Sequence, residues 1–228
     1  VPRKKAGVTP NQVFVGLPWK NVRSRYETCI DYLEKRYPLH FTIVGRKDAQ
    51  DADDLLSVIK ERIQSSSYGV FDATNGNANV SLEYGYAEAI ELPRAIYVST
   101  HKASNTSTSG IIISDLGGKR RVEYKNEASL KARLETFCKS HDYTKRFDAF
   151  MQKRVRARRP GERKRVRTLV LKLIHQLDGK KKMRRADLVQ ALQAQGYAEK
   201  EINAVLKKLH THGLLKVTQG RYADVLVA

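Results

Sequence analysis

The sequence predicts a parallel-sheet α/β domain followed by a small winged-helix domain. Three observations predict it. Short β-rich runs alternate with amphipathic helical stretches from Asn11 to about residue 140, the pattern of strands crossed by helices. A basic tract between Gln152 and Arg167 interrupts that pattern. Beyond it come three helical stripes and two short apolar runs joined by a turn.

In the first part, QVFVGLP is the first strand, and VRSRYETCIDYLEKRY places Val22, Tyr26, Cys29, Ile30 and Leu33 on one helical face before Pro38. FTIV is the second strand. DADDLLSVIKERI sets Leu55, Leu56, Ile59 and Ile63 on one face, with aspartates suited to the positive end of a helix. YGVFD is the third strand, ATNGNA a loop, NVSLEYGYAEAI a short helix and RAIYVS a further strand. THKASNTSTSG reads as a mobile loop, GIIIS and RRVEY as the last strands, and LKARLETFCKS as the closing helix. The expected domain spans residues 11–150, after an N-terminal tail at 1–10.

Nine basic residues and one acid occupy the stretch from Gln152 to Arg167. That composition reads as a linker over residues 151–166, because it does not supply a core. The domain expected at 167–228 has a stripe of Val166, Leu169, Val170, Leu173, Ile174 and Leu177, then ADLVQALQAQ, then a stripe of Ile202, Val205, Leu206 and Leu209. LLKV and ADVLV, separated by TQGRY, form the hairpin of a winged helix.

Charge is the strongest compositional signal. The 228 residues carry a net +19, and residues 151–228 hold 20 Lys and Arg against 6 Asp and Glu, a net of +14. Such a block attracts polyanions; nucleic acid, DNA in particular, is the expected partner and an anionic membrane surface the rival. Lys200, Asn203, Lys207, Lys208 and His210 are expected to project from the third helix, Lys216, Arg221 and Tyr222 belong to the wing, and Arg184 and Arg185 precede the second helix. No apolar run approaches a membrane span and no signal-like segment follows the basic start, so a cytoplasmic protein without membrane contact is expected. Cys29 and Cys138 lack any metal-ligand spacing and read as buried free thiols. Neither metal nor cofactor is expected.

In an open parallel sheet the site lies beyond the carboxyl ends of the strands. Gly16, Leu17, Pro18 and Trp19 follow the first strand, Asp72 closes the third, and the asparagine-rich run through Asn77 and Asn79 leads into the helix bearing Glu83 and Tyr86. With Asn79 capping that helix, Glu83 stands one turn in, and two carboxylates, Asp72 and Glu83, would line one pocket.

FDATNGNANVSLEYGYAEAI resembles the signature of the nucleoside 2-deoxyribosyltransferase-like group and its TIR-like relatives: an acidic strand end, an asparagine-rich loop, Asn-Val, then a Glu-x-Gly-x-Ala helix. VFVGLPW and IISDLGGKRRVEYKN, the latter with Asp115, resemble other segments of the same group. The resemblance covers roughly residues 11–140. It implies a Rossmann- or flavodoxin-like fold and a pocket for a nucleotide, a nucleoside or NAD. Glu83 would be the catalytic carboxylate at a ribosyl C1′, with Asp72, Asn77 or Asn79 orienting the ligand. It also implies a homodimer, and through the TIR-like relatives a role in antiphage defence. The alternative is a nucleotide-sensing, non-catalytic DNA-binding regulator.

Overall fold

The computed structural model describes residues 7–18, 22–45, 52–100, 121–155, 160–178, 182–218 and 224–228. The GIIIS strand, the loop before it, Trp19, Asp115, Arg221 and Tyr222 lie outside these residues. Two compact units are formed: Gln12–Leu33 with Phe41–Phe137, and Thr9–Asn11 with Glu34–His40 and Cys138–Ala228.

The first unit is built on β1 (Thr9–Gly16), α1 (Arg23–Glu34), β2 (His40–Thr42), α2 (Ala52–Ser65), β3 (Ser66–Asp72), α3 (Ala78–Ala89), β4 (Arg94–Ser99), β5 (Arg121–Tyr124) and α4 (Glu127–Ser140), except that the element ends Thr9–Asn11, Glu34, His40 and residues 138–140 belong to the second. The strands form one sheet in the order β2-β1-β3-β4-β5. β3 runs parallel to β4 with Phe71 opposite Ile96, and β4 parallel to β5 with Tyr97 opposite Val122. This is the flavodoxin-like doubly wound order, which reverses direction between β1 and β3 and opens a crevice there at the carboxyl ends. One face of the sheet packs Phe14 and Phe71 against Ile63 of α2 and Val80, Tyr84 and Ala87 of α3. Each such large apolar side chain, fully buried, favours folding by roughly 1.5–3 kcal/mol before entropy is set against it. The stripe of α1 is buried as its spacing predicts: Val22, Tyr26, Cys29, Ile30 and Leu33 are all under a tenth exposed. Cys29 and Cys138 are buried free thiols, and burial pushes the Cys29 thiol up to about 11, which keeps it protonated and inert.

The second unit holds α5 (Asp142–Val155), α6 (Pro160–His175), β6 (Met183–Arg184), α7 (Arg185–Gln193), α8 (Glu199–Thr211), β7 (Leu215–Val217) and β8 (Asp224–Val227). β8 pairs antiparallel with both β6 and β7, giving the order β6-β8-β7. The first stripe is buried from Leu169 to Leu177 and the α8 stripe throughout. Left-handed Gly196 and Gly213 make the turns before and after α8 that any residue with a Cβ would resist. Composition reads residues 151–166 as linker, yet residues 152–155 and 160–166 are helical. The physical reason is that Tyr143, Phe147, Phe150 and Met151 form a buried stripe that carries α5 into the tract, and the buried residues from Leu169 to Ile174 hold α6, whose first turns extend back to Pro160, while Lys153, Arg163, Lys164 and Arg165 ride the outside.

This unit contains a half-buried ionic cluster. His175 Nδ1 lies 2.5 Å from Asp178 Oδ2, His40 Nδ1 lies 3.5 Å from the same oxygen and 3.2 Å from Glu34 Oε1, and Asn11 donates to Asp178 Oδ1 at 3.3 Å. Burial opposes charge on His175, but the bond to Asp178 and the charges of Asp178 and Glu34 prevail and raise its pKa. A raised histidine stabilises the fold fully below its ordinary value near 6.5, and that stabilisation is lost as pH rises through the higher folded value. Urea midpoints measured across that window are therefore expected to fall with rising pH in the native chain, and His175→Gln should flatten the fall.

Candidate functional site

At the β1/β3 reversal Gly16, Phe71 and Glu83 come together. Glu83 belongs to α3, and the start of that helix decides where its carboxylate goes. Asn75, in the left-handed region at φ 63°, and Gly76 at 61° turn the chain sharply after Asp72. The Asn77 side chain then caps α3, accepting from Asn79 N at 3.0 Å and Val80 N at 3.2 Å. The cap is thus Asn77 and not Asn79, which is exposed in the first turn. Starting the helix two residues earlier rotates Glu83 by about 200° relative to a cap at Asn79, since each residue turns about 100°.

The Glu83 carboxylate lies against Gly16. A Cβ at position 16 would collide with Glu83 Oε2 and stand 2.8 Å from Phe71 Cδ1, so only glycine leaves room for the acid at the strand end. Oε2 is buried and makes no hydrogen bond among the described residues. Phe71 lies beside it, with Phe14 at 5.7 Å and Tyr84 at 5.5 Å between ring centroids. Loss of hydration raises the Glu83 pKa from 4.5 to about 7. A half-buried carboxyl group with one oxygen sealed off and unbonded, half-ionised near neutrality, is unusual for a surface helix acid, and it matches what acid–base or nucleophilic chemistry needs.

Asp72 is placed differently. It is fully buried; its Oδ2 accepts from Tyr26 OH at 2.9 Å and Tyr124 OH at 2.6 Å, and its Oδ1 accepts from Thr74 N at 2.9 Å. Thr74 Oγ1 in turn accepts from Ser99 N at 2.9 Å. Burial, then the charge of Asp72, raises both tyrosine pKa values, so the phenols stay protonated donors. Successive strand residues point to opposite faces: Phe71 turns to α3, and Asp72 to Tyr26 of α1. Asp72 thus spends its oxygens on Tyr26, Tyr124 and Thr74, and no recorded bond joins it to Glu83 among the described residues. Asp72 anchors the loop that begins the α3 turn, whereas Glu83 Oε2 makes no hydrogen bond among the described residues.

Leu17 and Pro18 follow Gly16 with buried side chains, leaving backbone as what they offer a ligand. The Tyr86 hydroxyl accepts from Gln64 Nε2 at 2.5 Å, and Lys60 lies over its ring at 5.9 Å, which ties Tyr86 to α2. Tyr26 and Tyr124 do not stand out as site residues in the sequence. Their only signal is a tyrosine hydroxyl within an apolar stripe and another at a strand's carboxyl end, each of which needs a polar partner when buried.

No family model and no curated protein matches this sequence. Solved structures do resemble it. A 2-deoxyribosyltransferase from Leishmania mexicana is similar at 15% identity and a TM-score of 0.43, covering 55% of this chain and 98% of that one. A CMP N-glycosidase from Clostridium botulinum is similar at 14% identity and a TM-score of 0.41, with the same coverages of 55% and 98%.

On the basic unit, Arg184, Lys207 and Lys216 are exposed. Exposed Arg185 donates to Asn203 Oδ1 at 2.7 and 3.2 Å, and Asn203 donates to Glu199 at 3.4 Å, so these two form one ordered polar strip. His210 is exposed, and its Nδ1 accepts from Val217 N at 3.3 Å, which ties α8 to β7. Lys200 and Lys208 line a groove beside Val166 and Val170 of α6. Among the described residues there is no cluster of His, Cys, Asp and Glu able to hold a metal, and no helix long and apolar enough to cross a membrane.

Proposed function

We propose that the α/β unit cleaves or transfers the N-glycosidic bond of a nucleotide, nucleoside or NAD, with Glu83 as its catalytic carboxylate. The observation that carries this reading is the Glu83 carboxyl at the β1/β3 reversal, with Oε2 buried against Gly16 and making no hydrogen bond among the described residues, and with burial raising its pKa to about 7. The ionised form faces C1′ while the C–N bond breaks and the bonding pair leaves with the base, which takes up a proton. The positive charge that develops on the sugar is what a nearby carboxylate stabilises or captures. In hydrolysis, water then delivers its hydroxyl to C1′. The aromatic walls of Phe71 and Tyr84 exclude water and sharpen that electrostatic attraction. The sequence resemblance to the deoxyribosyltransferase-like and TIR-like group supports the same chemistry and brings with it the proposals of a dimer and of antiphage defence. Base release from a panel of nucleosides, nucleotides and NAD, with Glu83→Gln as the control, tests it.

For the second unit the reading is a DNA-binding winged helix. Its support is the order helix, strand, helix, helix, hairpin across α6 to β8, together with the net +14 of residues 151–228. α8 is the candidate groove helix, with Lys207 outward, and Lys216 lies on the wing. Lys207→Ala is expected to weaken duplex binding alike across sequences and to reduce the slope of log affinity against log salt by about 1, read by fluorescence anisotropy. A slope that does not move removes Lys207 from the interface. The second reading, a ligand-sensing regulator without turnover, draws its support from Asp72, whose sealed position leaves the crevice a single acid.

A further inference from the structure

Two alanines shape a feature on α8 itself, beside exposed Lys207, where Lys200 and Lys208 border an apolar surface and not open solvent alone. Ala198 precedes α8 and Ala204 lies within it, and where their short side chains stop, a groove of about 420 Å³ opens. Its apolar lining comes from Phe150 of α5, Val166 and Val170 of α6, and Ala204 and Val205 of α8. Three charged side chains join them: Lys200, Glu201 and Lys208. Glu201 is already neutralised by Arg165, at 3.1 Å. Lys200 and Lys208 have no carboxylate partner among the described residues, so the groove carries two unanswered positive charges beside an aliphatic floor.

We propose that this groove docks an acidic amphipathic segment of a partner protein, its bulky apolar side chains entering beside Ala204 and its carboxylates meeting Lys200 and Lys208. Charge complementarity selects the partner. A basic segment would be repelled by the two lysines and by the +14 of the surrounding sequence. Nucleic acid fits poorly, because phosphates need donors where the floor is aliphatic. A single aromatic, Phe150, already packed edge-on against His212 at 5.3 Å, offers no platform for stacked bases. Spaced apolar anchors in a groove with charges at its edge are the ordinary means by which an amphipathic helix is recognised.

A displayed library of peptides of about 15 residues, long enough to support a helix, is selected on the full chain and the enriched peptides are titrated by fluorescence anisotropy. Enriched peptides are expected to combine Asp or Glu with bulky apolar residues three or four apart. Lys200→Glu with Lys208→Glu should weaken them at least tenfold, and Ala204→Trp, which fills the groove from an exposed position, should do the same without reversing charge. Amide chemical shifts of the native chain, perturbed at Val166, Val170 and Val205, keep the result independent of how the variants fold. Enrichment without acidic residues, binding indifferent to both variants, or displacement by a DNA duplex whose own affinity depends on Ala204 would each overturn the proposal.

Discussion

Glu83→Gln is expected to abolish base release, lowering kcat by about 10³-fold or more, the range seen when an essential charged group is removed from a water-excluded site. Glutamine keeps the shape and loses the charge, so a change in packing does not account for the loss. In the native chain the rate should rise with pH and level off above about 7, because the ionised carboxylate is the working form and burial holds it protonated below that value. Stability runs the opposite way. The folded state holds a proton on Glu83 that the unfolded chain releases from about 4.5 upward, so folding weakens as pH climbs from there through about 7. Removing the charge should therefore stabilise the fold at pH 8 by up to about 3 kcal/mol, since each tenfold gain in proton affinity on folding corresponds to about 1.4 kcal/mol. A variant that is inactive and more stable separates a functional acid from a structural one. Unchanged base release would overturn the assignment.

Asp72→Ala is expected to produce the largest loss of stability in the first unit, about 3–5 kcal/mol by urea unfolding. It strands two buried phenol donors and the Thr74 amide that the carboxylate now satisfies. Tyr26→Phe and Tyr124→Phe remove one donor each and should cost less, about 1–2 kcal/mol apiece, because Asp72 keeps its other partners. In Tyr26→Phe, whose fold survives, the pH at which base release levels off should stay near 7, since Glu83 is on the other face of β3. A marked shift in that pH would show that Asp72 and Glu83 share an environment after all.

Periodicity carried most of the first unit. The buried stripe of α1 and the apolar strand ends follow from residue spacing alone, since a helix repeats every 3.6 residues and a strand every two. Periodicity also held the α5 stripe of Tyr143, Phe147, Phe150 and Met151, but the adjacent run of arginines and lysines outweighs it in a reading by composition. Long basic side chains lie along a helix as readily as in a linker, because their heads reach water from either. The two carboxylates stand out as residues in the sequence, but their pairing in one site does not follow. Alternation along β3 is written in the sequence; which partner each face meets is not.

Local spacing and summed charge already contain the alternating strands and helices, the two stripes that build α6 and α8, the concentration of positive charge after residue 150, and Glu83 as an acid one turn into a strand-end helix. These are properties of local spacing and of sums over residues. Tertiary structure alone decided that Asn77 rather than Asn79 starts α3, that Asp72 spends its oxygens on Tyr26, Tyr124 and Thr74, that Gly16 leaves the space Glu83 fills, and that Lys200 and Lys208 border an apolar groove. Most of these depend on atoms brought together from residues far apart in the chain, and the α3 cap on a local turn geometry that spacing does not encode. Burial, which shifts a pKa or leaves an oxygen unpaired, exists only after that assembly.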